Sequence, residues 1–580
     1  MDGDSKITWK DCALVGVFSL ILFGFAGFSG RPLTMHEARL PQTSREMLHN
    51  HEWLLPTSGG RPWLERPPLP HWIVITTMKL FGHDDQVWIV RLPSALMGTL
   101  TVLMTMLIAG KCFGRTAALI TGFVLATTLK FYQYACLAED DIYLAALVAM
   151  AAALFAHAEL PASQRRVRWY GFVSGRPWAI LGFFVVLGVS NITKGPLLGA
   201  VILGAPVGMY LLVRCWVEQS FQPLLRYVWL WGWMVLTLLT IAWPWWAKHK
   251  VPDVVENWKY DYLGRINGTY PAIDEPWWYY PPKLFVGLLP WAPFCLLGLL
   301  PAVVIAATSR FHRRSPSRTL ESYSDIASAN AGSTLDYYRP GNEPWWDRDS
   351  KRQIYATRGY LFVVCWALFP LMVLSIPRGK HDHYLVPFLG PWAILGTLGL
   401  IEFARVFSVG RKCFVAAVIL LLPGFWIGEA MIAPGTDHTV DDTAFLLRCH
   451  GEVPADVPLY IDGKLGPPGN LDFFRMQFYS RSDAILLHNL TFLRDRNIKA
   501  PVVYVIARQR DEKFLVQLGA YRVVDQSKLS HEIPTPDGRF TLFCLTFDPH
   551  LQRYPAPACI TSLQAMERAP GPWCGPEPIP

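Results

Sequence analysis

Apolar segments close to the ~20 residues that a helix needs to cross a bilayer recur about eleven times along this chain. They begin near Asp11, Trp88, Thr116, Ile142, Trp178, Leu197, Tyr227, Leu284, Gly359, Tyr384 and Cys413. Soluble core helices are shorter and amphipathic, so the recurrence restricts the fold to a polytopic α-helical membrane protein. Composition agrees: of 580 residues, 52% are hydrophobic and 17% charged, too apolar for an ordinary soluble enzyme.

Lysine and arginine orient the spans, because short cytoplasmic loops carry the excess. Lys6/Lys10, Lys111/Arg115, Arg165/Arg166/Arg168, Arg214/Arg226, Arg310/Arg313/Arg314/Arg318 and Arg405/Arg411/Lys412 fall on one side when the spans alternate. The N-terminus is then cytoplasmic, in a retained signal anchor with no small-x-small cleavage site after Phe28. The cytoplasmic loop 305–357 is rich in Ser, Arg and Asp and carries no motif. The run Leu69 to Phe81 is short for a span and follows Pro67-Pro68. A crossing there would flip every later loop, so it is expected to be re-entrant or to lie at the interface.

The expected outer face gathers the first loop (29–87), Glu139-Asp140-Asp141, the Trp243 to Pro282 segment, Lys380 to His383 and the region after residue 432. Residues 1–432 form the transmembrane domain, and 433–580 a soluble extracytoplasmic α/β domain. In the latter, Val457 to Ile461, Ala484 to Leu487, Pro501 to Ile506, Tyr521 to Val524 and Phe540 to Thr546 read as strands. Asn470 to Tyr479 and Asp511 to Leu518 read as helices between them. Cys559 and Cys574 are the candidate disulfide there. The remaining cysteines read as small apolar residues or thiols without zinc spacing.

Ionisable groups are costly beside lipid, so their concentration in the outer loops marks a site. Glu37, Glu65, Asp140, Asp141 and Asp261 offer carboxylates; Arg39, Arg66, Lys194, Arg265, Arg378 and Lys380 offer cations. Carboxylates serve as general bases or metal ligands, and cations hold a phosphate and stabilise a leaving group that gains charge. The combination points to transfer from a phosphorylated lipid.

The first outer loop reads His36-Glu37-Ala38-Arg39-Leu40, Arg45-Glu46-Met47 and Gly60-Arg61-Pro62-Trp63-Leu64-Glu65-Arg66-Pro67-Pro68. Further on come Arg91-Leu92-Pro93-Ser94-Ala95-Leu96, Asp141-Ile142-Tyr143-Leu144, Thr193-Lys194-Gly195-Pro196, and Lys380 with Tyr384 and Pro387. In order and spacing, over roughly residues 10–400, these resemble the polytopic lipid-dependent glycosyltransferases of the GT-C class. The protein O-mannosyltransferase and aminoarabinose (ArnT-like) branch is the most similar. Its first loop carries Asp-Glu-x-Arg-Tyr, Arg-Glu-Met and Gly-x-x-Tyr/Trp-x-Glu-Lys-Pro-Pro.

The resemblance implies inverting transfer of a sugar from a polyprenyl-phosphate donor to an acceptor hydroxyl at the outer face of the cell (inner) membrane. The acceptor would be a lipid A-like glycolipid, an envelope glycan or a protein. Glu37, Asp141, His36 and Asp140 are the candidate catalytic residues. Arg39, Glu65, Arg66, Lys194, Asp261, Arg265, Lys380 and Tyr384 are candidates for donor binding. No nucleic-acid partner and no certain cofactor are implied; a divalent metal is left open but is not indicated.

Two positions depart from the family: His36 stands at its first-loop Asp and Arg66 at its Lys. Arg66 keeps the charge and can grip phosphate with two donors. His36 leaves three readings open: Glu37 is the base, neutral His36 is the base, or the chain is an inactive member. Duller roles also stand beside the sharp ones. Arg39, Arg45 and Arg66 can neutralise lipid head groups, Asp261 and Arg265 can pair across one helix turn, and His381-Asp382-His383 lacks a third ligand at metal spacing. Trp243 to Trp246 and Pro276 to Tyr280 suit the bilayer interface. The rival class is a transporter or lipid flippase, which would carry internal repeats and midplane charges; a membrane scaffold is a third option.

Overall fold

Eight helices lead the chain in the computed structural model: α1 (Trp9–Phe28), α2 (Met35–His49), α3 (Leu69–Phe81), α4 (Val87–Phe113), α5 (Arg115–Ala126), α6 (Leu129–Ala135), α7 (Asp141–Glu159) and α8 (Pro177–Ser190). Residues 7–28, 30–58, 61–160, 177–195, 198–251, 253–267, 274–309, 350–407, 439–462, 472–487, 500–527 and 539–547 are described, with a few isolated positions between them. Most of the loop after Ser309, most of the segment from Cys413, and both Cys559 and Cys574 lie outside these residues.

Among the described residues, five stretches are long and apolar enough to cross a membrane: Val87–Phe113, Asp141–Glu159, Ala200–Val217, Arg358–Ser375 and Asp382–Val406. The pair Tyr280–Gly287 and Ala292–Pro301, bent by 115°, makes a sixth if counted as one span. The chain is thus a mostly helical, multi-pass membrane protein, but the expected eleven or so spans are met only in part. Length explains two of the shortfalls. Helices α5 and α8 have 12 and 14 residues, so at ~1.5 Å per residue they reach about 20 Å against a core of ~30 Å.

Polar contacts sort the two ends of the bundle. At one end Arg115 holds Asp11 at 2.8 Å, Lys111 meets His157 at 3.1 Å, Arg214 and Arg226 converge on Glu159, and Arg358 reaches Glu218 at 2.9 Å. These are the residues flanking the loops expected in the cytoplasm. At the other end Ala138 N donates to Glu37, Lys194 meets Asp140 and Asp141, Lys130 pairs with Asp382, and Lys380 donates to the Glu275 carbonyl. Loops distant in sequence therefore share one face.

Helix α3 begins and ends on that same face. His71 in its first turn meets Ser44 of α2 at 3.0 Å, while Asp84, just beyond its Gly82 C-cap, receives Arg45 of α2 through its backbone carbonyl at 3.0 and 3.2 Å. Two adjacent residues of α2 reach both of its flanks, so α3 does not cross.

Five strands lie where the β-rich runs were expected: after the short pair β1 (Thr57–Ser58) and β2 (Arg61–Pro62) come β3 (Leu459–Asp462), β4 (Ile485–Leu487), β5 (Val502–Arg508), β6 (Gly519–Gln526) and β7 (Phe540–Phe547). Their order is β4-β3-β5-β7-β6, with β3 parallel to β4 and β5, and β7 antiparallel to β5 and β6. The helix Asp472–Tyr479 joins this layer to α2: Tyr479 Oη accepts from Leu33 N at 2.7 Å, and Gln42 donates to the Ser482 carbonyl at 3.2 Å. Arg45 completes the joint, donating to Phe478 O at 3.1 Å with its guanidinium 4.5 Å from the Phe478 ring. Arg45 is therefore an internal brace rather than a lipid head-group contact.

Candidate active site

The site starts from the entry into α2. Thr34 and Glu37 form a capping box in which each side chain accepts the other's backbone N–H, a local device that fixes where the helix begins. It also sinks Glu37 into the protein, fully buried. There Oε1 accepts from Arg91 Nε at 2.8 Å and Ala138 N at 3.2 Å, while Oε2 accepts from an Arg91 terminal nitrogen at 3.1 Å. Burial would raise its pKa, but Arg91 and then Arg31 hold the carboxyl below its ordinary value. Glu37 thus ties α2, α4 and the α6–α7 turn together and has no oxygen left for a substrate. Removing either partner strands a buried charge, so Arg91→Ala and Glu37→Ala are each expected to lose about 3–5 kcal/mol of stability. Thermal melting in detergent checks this; an unchanged transition would remove the pair from the frame.

A narrow cleft opens beside this anchor, lined by His36, Arg39, Trp63, Arg66, His71, Glu139 and Asp140 among others. The β1–β2 pairing, with Ser58 opposite Arg61, turns the loop back so that Trp63 is buried and Glu65 and Arg66 face α2. Arg66 pairs with Asp140 at 2.9 Å and lies 3.3 Å from Glu65, which Arg39 approaches at 3.6 Å. Lys194 meets Asp141 at 2.5 Å and Asp140 at 3.8 Å, with its ammonium 5.6 Å from the centre of the Tyr384 ring. Burial opposes ionisation of Asp140, but Lys194, Arg66 and Arg39 keep it below the usual carboxylate range.

His36 sits exposed at the cleft mouth, where Arg39 approaches its Nδ1 at 3.0 Å. A guanidinium only donates, so Nδ1 holds the lone pair and Nε2 the proton. The surrounding protein and then Arg39 push its pKa down to about 4. His36 is therefore neutral, and its one acceptor nitrogen is already engaged.

Glu139 differs from its neighbours. It lines the cleft, is only partly buried, and its carboxylate has no hydrogen bond or ion pair among the described residues. Burial and then Asp141 push its pKa up to about 8, with Arg39 and Lys194 opposing. Sequence reasoning singled out the acidic triplet but not this member of it, since nothing local tells which acid lacks a cation. His71, also missed, reads in sequence as one more residue of an apolar helix.

His36, Arg39, Arg66 and Asp140 line the cleft, and Glu65, Lys194, Asp141 and Tyr384 join them through contacts beside it. Lys380 is instead occupied by the Glu275 carbonyl at 2.8 Å. Asp261 and Arg265 lie on the helix Val254–Asn267, but their side chains fall outside what is described. His381 and His383 stack at 4.9 Å, Asp382 goes to Lys130, and among the described residues no group of three or more His, Cys, Asp and Glu is placed to hold a metal. Trp243 does more than meet lipid: its indole and that of Trp258 donate to the carbonyls of Leu54 and Leu64, both at 2.9 Å, pinning the first loop.

Residues 65–246 match the family model of dolichyl-phosphate-mannose-protein mannosyltransferases. The crystal structure of ArnT from Cupriavidus metallidurans bound to undecaprenyl phosphate superposes with a TM-score of 0.63 at 18% identity, covering 92% of this chain and 97% of that one. The fold is that of the GT-C class. The resemblance to the ArnT-like branch is borne out as well. An undecaprenyl phosphate-α-4-amino-4-deoxy-L-arabinose arabinosyl transferase of Proteus mirabilis is 25% identical over 380 residues, 64% of this chain and 56% of its own length. Its counterpart in Pseudomonas aeruginosa is 26% identical over 406 residues, 67% of this chain and 60% of its own length. The chain thus spans little more than half the length of these ArnT-like relatives.

Proposed function

We propose that the chain transfers a sugar from a polyprenyl-phosphate donor to an acceptor hydroxyl, with inversion, at the outer face of the inner membrane. The observation that carries this is one linked charge cluster, with Arg39, Arg66 and Asp140 lining the cleft and Lys194 and Asp141 paired beside them. As the bond from the anomeric carbon to phosphate oxygen breaks, the lipid phosphate gains charge, and fixed cations stabilise that state more than the ground state. The acceptor oxygen forms the new bond, and its proton passes to Glu139, the cleft carboxylate with no cation paired to it among the described residues. Asp140 and Asp141 hold Arg66 and Lys194 in place; Glu65 does the same for Arg39. An undecaprenyl phosphate-linked amino sugar, as named for the relatives, is the donor class proposed, with a glycolipid acceptor.

In this reading the N-terminus is cytoplasmic, and residues 433–580 form an extracytoplasmic domain that braces the first loop through Arg45 and Tyr479. Mass spectrometry of polyprenyl-phosphate lipids in cells carrying wild type or Asp141→Asn tests the proposal. One glycosylated lipid is expected to accumulate in the variant and names the sugar directly. With both proteins present in the membrane, identical lipid profiles would favour a transporter.

A further inference from the structure

One buried group of the cleft has no part in that scheme. His71, in the first turn of α3, is fully buried yet lines the same cleft as His36, Arg66 and Asp140. Its Nδ1 lies 3.0 Å from the Ser44 hydroxyl, whose single proton is directed at the Leu40 carbonyl 2.6 Å away. Ser44 Oγ must therefore accept from the ring, so Nδ1 carries the proton and Nε2 the lone pair. Nε2 is buried with no hydrogen-bond partner among the described residues. A buried acceptor left unpaired is costly, and native proteins keep few of them.

The ring is also held neutral. Burial pushes the His71 pKa down to about 4, Asp140 opposing and Arg66 adding to the effect. A neutral acceptor of fixed tautomer selects for a donor: phosphate and carboxylate oxygens bring only lone pairs, whereas a hydroxyl brings a proton. Arg39 and Arg66 face the same cleft and suit the phosphate, which leaves the group one bond away from it next to His71. Trp63, edge-on to His71 with ring centres 6.5 Å apart, offers an apolar wall beside it.

We propose that His71 Nε2 is a substrate-recognition group that accepts a hydrogen bond from a hydroxyl of the sugar carried into the cleft on its lipid phosphate; this rests on the glycosyl-transfer reading above. Ser44 is its positioning residue, because it sets the tautomer that leaves Nε2 as the acceptor.

The test compares the affinity of the full-length protein in detergent for two probes, bare undecaprenyl phosphate and undecaprenyl phosphate carrying 4-amino-4-deoxy-L-arabinose. Wild type is expected to bind the sugar-loaded lipid about three- to tenfold more tightly, the range of one net hydrogen bond. His71→Asn keeps a donor for Ser44 but lacks the cleft-facing acceptor, so it is expected to erase that preference while binding the bare lipid as wild type does. His71→Gln, which can restore an acceptor at greater reach, is expected to recover part of it. Equal binding of both lipids by wild type, a preference retained in His71→Asn, or equal weakening of both lipids in His71→Asn would each overturn the assignment. Failure of wild type to bind either lipid would instead sink the glycosyl-transfer reading, and the role of His71 with it.

Discussion

Arg66→Ala is expected to lower turnover by about 10²- to 10³-fold, the loss seen when one pre-placed donor to a developing oxyanion is removed, while the protein stays folded. Arg66 is 15% exposed by its side chain and stands between Asp140 and Glu65, on the surface of the cleft rather than within the bundle. Its deletion leaves Asp140 with Lys194 at 3.8 Å, so no buried charge is stranded. The cost therefore falls on the transition state, where the departing phosphate gains charge. Arg66→Lys keeps the charge but loses the two-pronged grip, and should recover only part of the rate. Single-turnover rates with saturating donor separate this from weaker binding. A loss confined to KM would mean that Arg66 holds substrate and transition state equally well. Arg318→Ala, in the loop expected on the cytoplasmic side, should leave turnover unchanged.

The positions of the loops were legible because lipid punishes misplaced charge. The alternation of basic clusters placed Glu139-Asp140-Asp141, Lys194 and the first loop on one face, and the ion pairs there join those segments. The non-crossing of α3 followed from its length and its prolines. The pairing of individual acids was not legible. Glu37 and Glu139 are both glutamates in loops expected outside, yet Arg91, 54 positions away along the chain, engages one, and among the described residues no cation pairs with the other. Likewise His36 is disqualified as a free base by Arg39 one helix turn away, a contact that the i, i+3 spacing permits but does not require. The state of His71 depends on a single hydroxyl proton in α2. Such distinctions arise from long-range packing, which local sequence patterns do not encode.

Glu139→Gln is expected to lower turnover by about 10²- to 10⁴-fold, the usual contribution of a positioned general base, and to change the pH profile as well as the rate. Burial and Asp141 raise the Glu139 pKa to about 8, so at neutral pH most molecules hold the proton that a base must lack. Wild-type turnover should then climb roughly tenfold per pH unit up to about 8 and level off above it. His36, with a pKa pushed down to about 4, would give a profile already flat above pH 5, so the two bases are distinguishable by pH alone. Stability should move the other way. A carboxyl whose folded-state pKa is raised binds more protons folded than unfolded, so its contribution is complete below the unfolded value near 4.5 and is lost as pH rises through about 8. Activity and thermal stability should thus diverge across pH 5 to 8 in wild type, and Glu139→Gln should flatten both trends together. A wild-type rate independent of pH over that range would remove Glu139 as the base. Either a base of much lower pKa, such as His36, would then take the proton, or the acceptor oxygen would arrive already ionised, as a phosphate oxygen does, and Glu139 would be left with a purely electrostatic part in the cleft.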